Sequence, residues 1–113
     1  MSSTAIKLKY EPIRSLAFGS IVAGYTAIGT ALQNPAVIFS IQNLTDKQLM
    51  FSFDGVNDHF TLSPNGVYNV DCNANKSDRS GALYLPEGTI IYVKRIGTPA
   101  SGSVYVTAAY QGV

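Results

Sequence analysis

The sequence predicts an all-β protein: a single antiparallel β-sandwich, of jelly-roll or Ig-like type, with about seven or eight short strands and an N-terminal arm. Three observations predict this fold. Several segments alternate apolar and polar residues at period two, which separates the two faces of a strand. Turn-forming residues recur every ~8–12 positions, and no segment carries a convincing helical period. Hydrophobic residues make up 46% of the 113-residue chain, which suits a single domain with one core.

The arm is predicted over residues 1–14 and the sandwich domain over residues 15–113. The arm is polar and mixed in character, and Pro12 interrupts it. The segment SLAFGSIVA, residues 15–23, suits the first strand of the domain. Residues 24–35 begin and end with turn-forming residues and leave room for one short strand between them.

Two clear strands follow, AVIFSIQN over residues 36–43 and QLMFSFD over residues 48–54, each with apolar side chains at every second position. The intervening NLTDK is rich in residues whose side chains bond to the nearby backbone, which favours a tight turn. We therefore predict a hairpin over residues 36–54.

The second half of the chain has the same organisation. The tripeptide PNG predicts a turn at the centre of residues 59–71. A polar loop over residues 73–81 precedes a PEG turn and the strand TIIYVKR, residues 89–95, and the last strand is SVYVTAAY, residues 103–110. The side chains on the inward faces of the strands form the predicted core: Phe39, Ile41, Phe51, Phe53, Ile91, Val93, Val104 and Val106.

The low content of charged residues and the lack of a basic cluster limit the kinds of partner that the protein can bind. Charged residues make up 13% of the chain, well below the ~25% of ordinary soluble domains. Such a surface is typical of a small neutral domain or of a protein that others cover in an assembly. Apart from the pairs Lys7/Lys9 and Lys94/Arg95 there is no basic cluster, so we predict no direct nucleic-acid partner.

Metal and disulfide chemistry is restricted by residue counts. The chain has one cysteine, Cys72, and one histidine. A lone cysteine forms no internal disulfide and no cysteine-based metal cluster. A single histidine excludes a histidine-rich metal site within one chain.

The segment SLAFGSIVAGYTAIGTA, residues 15–31, follows three basic residues and imitates a targeting peptide. Its apolar run is broken by Gly19, Gly24 and Gly29, and it is too polar to span a bilayer. We interpret it as part of the folded domain and predict no membrane partner.

The stretch FSFDGVNDHF, residues 51–60, carries the residue types of metal and acid–base sites: Asp54, Asn57, Asp58 and His59. Three interpretations are open: a turn or presented loop, a cation site and a catalytic site. Calcium needs six to eight oxygen ligands, and neighbouring strand residues point to opposite faces. The DG dipeptide is a strong hairpin signal, so we predict a turn.

We predict no enzyme and no catalytic, cofactor-binding or metal-ligating residue, because the chain contains no phosphate loop, nucleophile elbow or zinc-spaced pair. One binding alternative stays open, since exposed tyrosines can stack against sugars. The tyrosines concerned are Tyr68, Tyr84, Tyr92, Tyr105 and Tyr110.

The arm contains a candidate partner-binding strand. Ile6, Leu8 and Tyr10 alternate with Lys7 and Lys9, which is the pattern of a strand that needs a partner. Alone, such a segment buries too little apolar surface to offset its ordering entropy. Our hypothesis is that residues 4–11 add as a strand to a neighbouring subunit or protein; the alternative is that the arm pairs within its own sandwich.

Three segments, NLTDKQLMFSFDG, LPEGTIIYVK and GTPASGSVYVTAAY, together with the order of elements from about residue 13 onward, resemble small β-sandwich virion proteins of tailed bacteriophages. The resemblance carries no catalytic motif. It implies a non-enzymatic structural protein of the virion, assembled in the host cytoplasm. It implies a homo-oligomer, ring-like, at the head–tail junction (neck, collar or ring), with portal, capsid or tail proteins as neighbours. Head decoration and a tail component are the alternative locations.

Overall fold

A computed structural model describes residues 7–72 and 85–112. The protein is all-β, and two antiparallel sheets pack together as a sandwich. One turn of 3-10 helix, Phe18–Ser20, is the remaining element of the described chain. In chain order the strands are β1 Lys7–Tyr10, β2 Arg14–Ala17, β3 Thr26–Ala27, β4 Ala36–Asn43, β5 Leu49–Ser52, β6 Phe60–Leu62, β7 Val67–Asp71, β8 Tyr92–Arg95 and β9 Ser103–Gly112.

The first sheet has five strands in the order β1-β9-β4-β7, and β2 also pairs with β9. β1 and β2 lie end to end along one side of β9, opposite its C-terminal and N-terminal parts respectively. The second sheet has four strands in the order β3-β8-β5-β6. Neighbouring strands in both sheets are antiparallel.

The core between the sheets confirms the predicted inward faces. Seven of the eight predicted core side chains are buried, and Phe53 is half-buried and packs against them. The irregular segment between β2 and β4 adds Ile21, Ile28 and Leu32, which the strand pattern did not identify. The aromatic rings form a connected group, with Phe51 stacked on Phe60 at 5.2 Å between centroids and Phe60 stacked on Tyr68 at 4.4 Å.

The predicted hairpin over residues 36–54 is wrong. β4 belongs to the first sheet and β5 to the second, so the NLTDK segment carries the chain from one sheet to the other. The predicted first strand is also too long, because β2 ends at Ala17 and the 3-10 turn follows. The predicted polar loop over residues 73–81 lies outside the described residues.

Asn43 explains why the chain crosses between sheets at this point. Its side chain is fully buried, and its Nδ2 donates to the carbonyls of Lys47 and Leu62, each at 2.9 Å. Its Oδ1 accepts from the Thr45 backbone N–H at 3.0 Å. The backbone of Asn43 bonds to Asn65 and Gly66, which lie in the return crossover between β6 and β7. One residue, through its side-chain amide and its backbone, therefore joins both crossovers.

Gly102 holds the start of β9 against the same crossover. Its φ is +89°, and a Cβ at this position would collide with the carbonyl group of Leu44. The Leu44 N–H donates to the Ser103 carbonyl at 2.9 Å. A glycine is required here by both the backbone conformation and the close approach.

We predict that Asn43→Ala lowers the free energy of unfolding by on the order of 3 kcal/mol, because it leaves several buried backbone groups without partners. Urea denaturation followed by circular dichroism measures the change. Gln42→Ala is the matched control, since Gln42 is adjacent and points to the opposite face. A loss no larger than that of the control would contradict the role assigned to the amide.

We predict that Phe51→Ala costs about 3–5 kcal/mol, as expected for a large side chain deleted from a well-packed core. Phe51 is 0% exposed, whereas Phe53→Ala should cost less because Phe53 is half-buried. Val56, at 79% exposed, supplies the control substitution Val56→Ala with no expected change. Equal losses for Phe51→Ala and Val56→Ala would show that the packing is wrong.

Candidate functional site

The candidate site is the side of the first sheet that faces away from the second sheet, here called the outer face. Phe39 and Ile41 point into the core, so the residues between them on β4 point outward, and the residues directly opposite in the register share that face. The positions of the outer face are Leu8, Tyr10, Ser15, Ala17, Ile38, Ser40, Gln42, Val67, Asn69, Asp71, Ser103, Tyr105, Thr107, Ala109 and Gln111.

The outer face is almost uncharged. Among these described positions Asp71 alone carries a charge, and the rest are hydroxyl, amide, aliphatic and tyrosine side chains. Charge depletion with tyrosine enrichment is typical of the central part of protein interfaces. The outer face therefore carries few of the charged groups that interface centres lack.

The arm residues predicted to bind a partner lie at one end of this face. Leu8 is 47% exposed and Tyr10 is 63% exposed; Ile6 lies outside the described residues. β1 pairs with β9 of its own chain. This is the alternative that the sequence left open, and it corrects the hypothesis that this segment reaches a neighbour instead of its own sheet.

The arm is fixed to the domain by a buried ion pair that the sequence analysis missed. An Arg14 guanidinium N–H donates to Glu11 Oε1 at 2.7 Å, and both side chains are buried. Arg14 also donates to the carbonyls of Thr30 and Ala31. Three further donors complete the Glu11 carboxylate: the backbone N–H groups of Gln33 and Asn34 and the side-chain amide of Asn34.

The chemistry of this pair favours the ionised form of Glu11. Burial raises the pKa of the Glu11 carboxyl, but the hydrogen bonds from Gln33, Arg14 and Asn34 outweigh it and hold the pKa below its ordinary value. In sequence, Glu11 and Arg14 simply flank a proline in a polar arm. Three-residue spacing brings side chains together on a helix but not on a strand, so the spacing of Glu11 and Arg14 does not predict the pair.

The stretch over residues 51–60 forms the turn between β5 and β6, as predicted. Asp54 Oδ1 accepts from the backbone N–H groups of Val56 and Asn57, each at 2.8 Å, and Oδ2 accepts from the Asn57 amide at 2.8 Å. These bonds hold the pKa of Asp54 well below its usual range. Gly55 takes the positive φ of +75° that the turn needs.

Asp58 and His59 take part in separate contacts. Asp58 accepts a hydrogen bond from the Tyr25 hydroxyl and lies 3.0 Å from Lys94 Nζ, and these two contacts lower the pKa of Asp58. His59 Nδ1 accepts from the Phe53 backbone N–H at 3.0 Å. The His59 ring bonds to the Phe53 backbone and lies 4.0 Å from the carboxylate of Asp54, while Asp58 bonds to Tyr25 and Lys94, so Asp58 and His59 have different partners.

The described residues contain neither a cluster of metal-ligand side chains nor a membrane-spanning helix. Over residues 7–72 and 85–112, no group of three or more His, Cys, Asp or Glu side chains is placed to hold a metal ion. Within the same residues no helix is long and apolar enough to cross a membrane. No protein-family model, curated protein or solved structure matches this chain.

We predict that Glu11→Gln lowers the free energy of unfolding at neutral pH by on the order of 3 kcal/mol, because it leaves the buried Arg14 charge without a counter-charge. The difference from the unaltered protein should shrink in acid. The native pKa of Glu11 lies below its ordinary value of 4.5, so its contribution is complete above that pH and is lost as the pH falls through the native pKa.

Denaturation curves between neutral pH and about pH 3 measure this effect. Glu87→Gln removes an exposed carboxylate and is the control. A Glu11→Gln difference that stays constant over the whole pH range would contradict a stabilising carboxylate at this site.

We predict that Asp54→Ala destabilises the β5–β6 turn, whereas His59→Ala leaves folding largely intact. The reason is that Asp54 accepts several bonds that close the turn, while His59 accepts one backbone bond at an exposed position. Amide hydrogen exchange at Val56 and Asn57 measures the turn directly. Unchanged protection in Asp54→Ala would show that the carboxylate does not hold it.

Proposed function

We propose that this protein is a non-enzymatic structural component of a bacteriophage virion, assembled in multiple copies as a ring at the head–tail junction. The observation that carries the proposal is the nearly uncharged outer face of the first sheet, with Leu8 and Tyr10 exposed at one end. The sequence resemblance to small β-sandwich virion proteins supplies the assignment to a phage particle.

The outer face is suited to burial against another protein. Removing charged groups from water is costly unless each finds a partner, whereas hydroxyl and amide groups need only hydrogen bonds. Asp71 is the single charge among the described positions of the face, so few groups oppose its burial. Tyr105 and Thr107 lie in the middle of the face, on the longest strand.

The fixed arm adds preorganised contact area. The Glu11–Arg14 ion pair holds the chain directly after β1, and backbone pairing with β9 sets the direction of Leu8 and Tyr10. Side chains that are already held in place lose less entropy when a partner binds them. The arm therefore presents an apolar edge to a neighbour while it stays part of its own sheet.

Head decoration and a tail component are the alternative locations, and a carbohydrate- or receptor-binding module is the alternative function. Sugar stacking requires free aromatic faces. Tyr68 is stacked on Phe60, and the ring of Tyr92 lies against Gly55. Tyr84 lies outside the described residues. These contacts make Tyr68 and Tyr92 poor stacking platforms, whereas Tyr105 lies on the outer face.

The first test is the oligomeric state of the purified protein by analytical ultracentrifugation over a concentration series. We predict a defined oligomer that Thr107→Lys weakens, because a new charge would stand in the middle of the outer face. Val56→Lys adds the same charge to an exposed loop and should leave the oligomer unchanged. A monomer at every concentration would contradict self-assembly.

The second test addresses the particle. Mass spectrometry of purified virions, followed by labelling with an antibody under the electron microscope, should find the protein at the junction between head and tail. Labelling over the head shell or along the tail would support an alternative location. Absence from purified virions, or specific binding on a glycan array, would overturn the structural role.

A further inference from the structure

We propose that copies of this chain join head to tail, with β1 of one copy pairing with β7 of the next so that the five-stranded sheet continues across the contact. The inference rests on the proposed self-assembly and adds a contact at the sheet edges to the burial of the outer face. The two strands are the ends of the strand order in the first sheet, as far as the described residues define it.

The strand directions allow this contact. β1 is antiparallel to β9, β9 to β4, and β4 to β7, so β1 and β7 run in opposite directions. Copies related by rotation about an axis parallel to the strands keep those directions. They therefore place β7 of one copy beside β1 of the next as an antiparallel pair, which is the ordinary way to extend this sheet. A contact between two different edges repeats around a ring when the rotation closes.

The backbone groups of the two edges match. The Glu11 N–H donates to the Ala108 carbonyl, so odd-numbered residues of β1 bond to β9 and the N–H and C=O of Leu8 and Tyr10 point away from it. On the other edge, the Asn43 N–H donates to the Gly66 carbonyl, and the same alternation leaves Val67 and Asn69 pointing away from β4.

More than one register matches the outward groups, and we propose the one that brings the apolar side chains of Tyr10 and Val67 together. Tyr10 stands opposite Val67, and Leu8 stands opposite Asn69, and all four side chains then lie on the outer face. Tyr10 and Val67 are 63% and 45% exposed in the single chain, so the contact would bury apolar surface that the isolated fold leaves in water. Pro12 and Pro64 lie outside the paired segments, so neither removes a donor from the contact.

Charge distinguishes this contact from its main competitor. A two-fold contact between two β1 strands, with Leu8 opposite Tyr10, would place Lys9 directly opposite its own copy. Like charges directly opposite each other on a sheet are destabilising. β7 carries no lysine, so the head-to-tail contact avoids this repulsion. The occupant of each edge is thus a second copy of this chain.

The test is a disulfide cross-link between two single variants in a Cys72→Ser background. A directly opposed, hydrogen-bonded pair has Cα atoms about 5.5 Å apart, within the range for a disulfide. Tyr10→Cys and Val67→Cys protein are mixed under mild oxidation and separated on a non-reducing gel. We expect a dimer in the mixture and none with either variant alone, and a ladder with the double variant. Tyr10→Cys mixed with Val56→Cys controls for random collision.

The outcomes separate this contact from the proposed function. Dimers of Tyr10→Cys alone would show that two β1 strands pair and would overturn the head-to-tail arrangement. No cross-link in a protein that still sediments as an oligomer would overturn the contact and leave self-assembly standing. No cross-link in a protein that sediments as a monomer would overturn both.

Discussion

The sandwich depends on the buried side-chain amide of Asn43. The chain leaves the first sheet at this residue and returns to it at Gly66, and the amide and backbone of Asn43 bond to both crossovers. A buried polar group with all its hydrogen bonds made stabilises one arrangement of the chain. Moving either crossover would leave strong donors or acceptors without partners. The amide therefore fixes where the two sheets exchange strands, and with it which strands can neighbour one another in each sheet.

The Glu11–Arg14 pair fixes the arm to the domain, just as Asn43 fixes the two crossovers between the sheets. Removing two charges from water opposes folding, and the pair is stabilising only because hydrogen bonds to the segment before β4 complete both groups. The two networks lie on different parts of the first sheet. One fixes the two crossovers between the sheets, and the other fixes the chain at the point where the edge strand β1 ends.

Sequence periodicity predicted the strands and their inward faces, because burial of alternate side chains is local to each strand. Periodicity did not predict the features of the fold that depend on contacts between residues far apart in sequence. NLTDK has the residues of a tight turn, and those residues equally suit a crossover; only the burial of Asn43 against Leu62 separates the two. The alternation of Leu8 and Tyr10 predicted a strand but could not choose between β9 and a neighbour. The Asp54 turn was predictable because its partners are adjacent in sequence.

The edge and the outer face have to act together in any assembly. β1 has four residues, and each hydrogen bond contributes a net of about 0.5–1.5 kcal/mol. Association opposes this with roughly 4–15 kcal/mol of lost translational and rotational freedom. A short edge alone is therefore too weak, although its bonds are directional and fix the angle between copies. The outer face supplies the contact area that the short edge lacks. Closure of a ring converts several weak contacts into one stable assembly, because the last contact joins copies that are already held together.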